Sequence, residues 1–150
     1  MDKSPIVIGS DHAAYNLKEK IRMYLFENGY EVEDAGAKNE NSVDYPDYGI
    51  KVASLVSAGK FNRGILLCGT GIGMSMVANR FSNVRAALCN DLFSAIMSRR
   101  HNNSNVLVMG GRVIGDVLAI EILKAWLETS FEAGRHQLRI DKFNSIGKVV

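Results

Sequence analysis

Apolar residues gather in five short runs of strand length: "PIVIGS" at 5–10, "YEVEDA" at 30–35, "GILLCG" at 64–69, "VRAALC" at 84–89 and "NVLVMG" at 105–110. Between these runs the apolar positions recur at helical spacing. Over 13–28, Ala14, Leu17, Ile21, Tyr24 and Leu25 fall on one face, and Gly29 supplies the stop. A second helix is predicted over 44–59, with Pro46 in its first turn and Gly59 at its end. Asp91 opens "DLFSAIMSRRH" and Asp116 opens "DVLAIEILKAWLET". Both aspartates suit an N-cap.

Strand and helix alternating at this spacing predict βαβ units with right-handed crossovers and a parallel sheet covered on both faces. The runs at 64–69 and 105–110 are almost continuously apolar, as strands buried on both sides are. The expected fold is therefore α/β, a Rossmann-like three-layer doubly wound sandwich around a five-stranded parallel sheet. One domain over 1–150 is expected, because no repeat, low-complexity segment or Pro/Gly linker divides the chain. In such sheets ligands bind beyond the carboxyl ends of the strands. That rule selects Ser10-Asp11-His12, Cys68-Gly69-Thr70 and Gly110-Gly111-Arg112.

Composition then removes several classes. With 47% hydrophobic and 23% charged residues the chain is not a disordered one. A net charge of +2, spread along the sequence, is too weak a bias to argue for nucleic acid or a membrane surface. No apolar stretch approaches the ~18–20 residues that span a bilayer, and "MDKSPIVIGSD" lacks a signal-peptide layout. Cys68 and Cys89 form no CxxC pair, so a disulfide framework and a zinc site are not expected and a reducing cytoplasm fits.

The sharpest local signal is "LLCGTGIGMSMVANR" at 66–80. Gly69, Gly71 and Gly73 alternate before a helical pattern, which reads either as a tight strand-to-helix turn or as a backbone cradle for an anion. The spacing is not the dinucleotide G-x-G-x-x-G, and no Lys-Ser/Thr closes a P-loop. Cys68 at its mouth is either an inert buried thiol or a base. An unperturbed thiol is only ~3% ionised at pH 7, and a helix N-terminus close by favours the thiolate. Cys89 has no such loop and reads as structural.

His12 follows the first strand, His101 precedes Asn102 ahead of the last, and His136 stands in "GRHQLR". If that segment is helical, Arg135 and Arg139 project from one face, as a phosphate clamp or as a solvated basic surface. Arg112 offers a third guanidinium. No HExxH occurs, and histidines and carboxylates are not expected to meet at metal-ligand spacing. The inventory suits proton abstraction beside the carbonyl of a phosphorylated substrate.

"GSDHAAYNLK", "VDYPDY", "LLCGTGIGMSMVANR", "SRRHNNSNVLVMGGRVIG" and "GRHQLRI" resemble the type B ribose-5-phosphate isomerases, in family order from residue 6 to about 140. Galactose-6-phosphate and allose-6-phosphate isomerases share that superfamily. The resemblance implies interconversion of ribose 5-phosphate and ribulose 5-phosphate through a cis-enediolate, with no metal or organic cofactor. It makes Cys68 the base between C1 and C2. Thr70 and the neighbouring loop amides, including Gly69 and Gly71, would hold the oxyanion, Gly73 would line the same substrate-binding loop, and His101 would open the furanose ring. Asp11, Tyr45 and Asn102 match positions that bind sugar hydroxyls or assist ring opening, and His12, Arg112, Arg135 and Arg139 match the phosphate set; His136 takes no role. A homodimer or homotetramer is implied, with sites at the subunit interface, residues from about 134–150 packing on the partner, and His101, Asn102 and Arg112 crossing over. Two rivals carry tests: a sugar-phosphate-binding module would not need the thiol, and a redox sensor would need Cys89 as the resolving partner of Cys68.

Overall fold

A computed structural model of the chain describes residues 2–146. Five parallel strands form one sheet in the order β2-β1-β3-β5-β4. They are β1 (Ile6–Ser10), β2 (Val32–Asp34), β3 (Arg63–Cys68), β4 (Ala86–Leu88) and β5 (Val106–Gly110). The helices are α1 (Tyr15–Glu27), α2 (Tyr45–Ser57), α3 (Ile72–Ala78), α4 (Leu92–Asn102), α5 (Asp116–Glu128) and α6 (Arg135–Phe143). The five apolar runs are the five strands. The runs at 30–35 and 84–89 shrink to three residues each because β2 and β4 are the edges and pair on one side only.

Alternation along the inner strands sorts the core into two layers. Ile6, Ile8, Ile65, Leu67, Leu107 and Met109 face α1, α4 and α5, where Ile21, Leu25, Ala95 and Trp126 meet them. Val7, Leu66, Cys68, Val106 and Val108 face α2 and α3, where Val52, Ala53, Met74 and Ala78 meet them. Right-handed crossovers dictate this division. The connections from β1 to β2 and from β4 to β5 run one way along the sheet and share a face. Those from β2 to β3 and from β3 to β4 run the other way and lie opposite.

The chain therefore leaves β1 and β3 toward opposite faces, which opens a crevice beyond their carboxyl ends. Edge strand β2 is pinned by a buried cation: Lys18 Nζ, on α1, lies 2.8 Å from Asp34 Oδ1.

Asp91 caps α4 as expected, its side chain accepting the Ser94 amide at 2.7 Å. Asp116 does not cap α5. Gly115 takes that position, and Asp116, one residue inside, pairs with Lys20 of α1 at 2.5 Å. Gly29 and Gly59 end α1 and α2 with φ of +77° and +72°. The conditional helix over "GRHQLR" is α6, which packs on α4 of its own chain. Residues 147–150 of the segment expected to reach a partner lie outside the described residues. Among the described residues, no helix is long and apolar enough to cross a membrane.

Candidate active site

Three loops meet beyond the carboxyl ends of β1, β3 and β5, and backbone bonds tie them together. Asp11 N–H donates to Leu67 O at 3.2 Å, Gly111 N–H to Cys68 O at 2.8 Å, and Arg112 N–H to Gly69 O at 2.9 Å. Cys68, only 5% exposed, ends β3 with its Sγ turned into the glycine loop, where the Gly71 amide donates to it at 3.2 Å. Gly71 has φ +80°. A Cβ there would lie 2.5 Å from Leu88 Cδ1 and 3.1 Å from the Met109 carbonyl carbon. Both the backbone angle and the space demand glycine.

Gly73 is required for another reason. A Cβ on it would sit 2.6 Å from two ring atoms of Tyr45, which α2 delivers onto the loop from its first turn. Thr70 is exposed, and its Oγ1 accepts the Ile72 amide at 3.2 Å. Buried Asp11 accepts the Ala14 amide at 3.1 Å, fixing its carboxylate at the entrance to α1. His12 Nδ1 accepts the Val43 amide at 3.1 Å, which leaves Nε2 as the protonated nitrogen and a donor outward. The Arg112 side chain lies over Gly69, where a Cβ would meet its Cδ at 3.5 Å. Arg112 thus stands beside the glycine loop of its own chain.

A Gly71→Ala variant keeps its amide but displaces the loop that aims it at Cys68 Sγ, and turnover is expected to fall ~100-fold, the scale of an ångström-sized misplacement in a site. Gly59→Ala is the control: φ is +72° but open space surrounds it, so melting temperature falls while activity stays. Parallel steady-state kinetics and thermal melts check the pair.

His101, Asn102, Arg135 and Arg139 do not join this group. They sit at the end of α4 and on α6, at the opposite pole of the sheet, because α4 runs back from β4 to the start of β5. Five residues of β5 at ~3.3 Å each separate the poles by ~16 Å. His136, left without a role by the sequence, is buried there and stacks on the His101 ring, centroids 4.2 Å apart and planes within 10°. Burial, then the nearby His101 and Arg135, hold the His136 imidazole below its ordinary pKa, against the pull of Glu132.

The expectation that histidines and carboxylates do not meet at ligand spacing is corrected here. Ligand atoms of His101, Glu132 and His136 all lie within 4.8 Å of one another. The four-residue step from Glu132 to His136 was the available signal. The arrangement does not fit an ion, however. A metal ~2.1 Å from one imidazole nitrogen lies in the plane of that ring, and two nearly parallel stacked planes do not meet at such a point.

Cys89 lies in the layer opposite Cys68, separated from it by the sheet. Burial raises its thiol to about 11, and both cysteines are free, so the redox pairing has no structural basis.

Residues 6–143 match the sequence model of the Ribose/Galactose Isomerase family. The chain belongs to that family. Ribose-5-phosphate isomerase B of Escherichia coli K12 is 45% identical over 141 residues, covering 94% of this chain and 95% of that protein. D-erythrulose-4-phosphate isomerase of Pectobacterium atrosepticum is 46% identical over 139 residues, covering 91% of each. The solved structure of Clostridium thermocellum ribose-5-phosphate isomerase B superposes with a TM-score of 0.94 at 49% identity, covering 96% of this chain and 97% of that one. The glycine loop and Cys68 lie within the matched residues, and the question becomes what they do here.

Proposed function

We propose that this isomerase-family chain interconverts D-ribose 5-phosphate and D-ribulose 5-phosphate in the cytoplasm through a cis-enediolate. The observation that carries the reading is the placement of Cys68 Sγ, 3.2 Å from the Gly71 amide at the mouth of the loop. A base beside preorganised backbone donors is what carbonyl α-proton transfer needs. Cys68 takes the proton from C2 of the aldose and returns it to C1 of the enediolate. Thr70 and the amides of Gly69, Gly71 and Gly73 stabilise the oxyanion. Asp11 and Tyr45 hold sugar hydroxyls, while Nε2–H of His12 and the Arg112 guanidinium take the phosphate.

The ring must open before any α-proton is acidic. That task goes to His101, with Asn102 beside it and Arg135 and Arg139 completing the phosphate clamp, all from a second copy of the chain. Two features support a two-fold assembly. The cysteine pole carries an exposed apolar rim of Ile72, Met76, Leu92, Phe93 and Val113. The histidine pole carries another, of Leu138, Phe143 and Ile146. Covering the open loop also excludes the water that would quench an enediolate.

Turnover of ribose 5-phosphate, allose 6-phosphate, galactose 6-phosphate and erythrulose 4-phosphate is the direct test. The pentose is expected to give the highest kcat/KM. A different winner leaves the chemistry and replaces the substrate; no turnover by folded protein favours a sugar-phosphate-binding module.

A further inference from the structure

Glu132 belongs to no motif of the candidate site, yet it reaches the ring-opening histidine and two of its neighbours, Arg100 and His136. It lies between α5 and α6, and its amide donates to Arg100 O at 3.0 Å, pinning the loop to the residue before His101. Its Oε2 stands 3.6 Å from His136 Nε2 and 4.0 Å from His101 Nε2, and its Oε1 is 3.7 Å from Arg100 Nε. His136 is 7% exposed at the side chain and forms a wall; His101, stacked on it, is 41% exposed. The pair therefore has one fixed ring, one working ring and a carboxylate on the Nε2 edge of both.

We propose that Glu132 is a positioning residue for His101, with His136 as the wall that fixes the plane of the working ring. The proposal rests on the ring-opening role given to His101 above. With Nε2 facing the carboxylate, Nδ1 is the nitrogen left to meet the substrate. Ring opening removes the proton from the hemiacetal O1, makes the C1–O1 double bond, breaks the bond from C1 to the ring oxygen, and protonates that oxygen. His101 takes the first proton on Nδ1 and returns it to the ring oxygen, so no co-reactant is consumed. The carboxylate stabilises the imidazolium formed between these two transfers and holds the ring at the angle that makes both. The stacked geometry gives the buried ring its part: His136 serves by its shape, a flat wall against which His101 lies.

The test uses Glu132→Gln, Glu132→Asp and His101→Asn in the full-length protein. Glu132 is half exposed and its pinning bond is a backbone one, so the fold survives these changes. Two rates are compared. Turnover of ribose 5-phosphate needs ring opening. Exchange of deuterium from solvent into C1 of ribulose 5-phosphate does not, because its phosphorylated O5 cannot close a furanose. Glu132→Gln is expected to lower kcat on ribose 5-phosphate ~10-fold, a part of the about 10²–10⁴ that a positioned acid–base group supplies. KM and C1 exchange should stay within twofold, and Glu132→Asp should recover part of the loss. Parallel loss of turnover and exchange, or unchanged turnover, overturns the proposal. If His101→Asn itself leaves ribose 5-phosphate turnover intact, the ring-opening assignment fails first, and the two failures are told apart.

Discussion

Cys68→Ala is expected to lower turnover of ribose 5-phosphate by at least ~10³-fold while leaving a folded protein. The size follows from what the thiol does in the proposed mechanism: it is the base in both half-reactions, and a positioned acid–base group contributes about 10²–10⁴. The fold is expected to survive because the change is small. Cys68 is the last residue of β3, its backbone pairs with Gly110 and its carbonyl holds Gly111, and none of these bonds involves sulfur. The side chain lies at the rim of the layer formed with Val52, Met74 and Val108, so removing sulfur should cost about 1 kcal/mol. Substrate affinity should persist, since His12 and Arg112 are untouched. Steady-state kinetics, a thermal melt and a binding titration with ribose 5-phosphate check the three parts. Turnover within tenfold of the parent removes Cys68 from the chemistry, and loss of binding as well assigns it to architecture.

The same thiol shows what a linear sequence displays and what it hides. A strand buried on both faces must be apolar throughout, so β3 and β5 stood out as runs, and the glycines after β3 marked the turn. The edge strands β2 and β4 carry less of that signal because they need less of it; each keeps three residues. The strand order was not legible, since it depends on which helix covers which face. Asp116 was misplaced because an aspartate before an apolar helix has two uses, capping and pairing, and Lys20 of α1 decides between them only in three dimensions.

Site residues follow the same rule. Those near Cys68 come from strand ends and were found by the sheet's polarity. Glu132 was missed because it meets His101 through a loop closure 31 positions long, in which only the step to His136 is local. Tyr45 is the converse case, a residue named through the resemblance whose contact with Gly73, allowed by the missing Cβ, appears only in the fold.

The separation of His101 from Cys68 carries the other large expectation. Within one chain the two stand at opposite poles, so a site that uses both must draw them from different chains. In a two-fold dimer each of the two sites then takes Cys68 from one subunit and His101 from the other. Cys68→Ala and His101→Asn homodimers should each be nearly inactive on ribose 5-phosphate. Mixed, unfolded and refolded together, they form half heterodimers if exchange is random. In each heterodimer one site inherits both lesions and the other inherits neither, so recovery should reach about one quarter of the parent activity. A site built within a single chain predicts no recovery at all, since every site in every dimer would then keep one lesion. In the proposed dimer the exposed apolar rims are the surfaces expected to meet. A charge placed at Phe93 or Leu138, both more than half exposed, should abolish the recovery without unfolding the chain. Recovery that is insensitive to both changes would keep the shared site but move the interface elsewhere on the molecule.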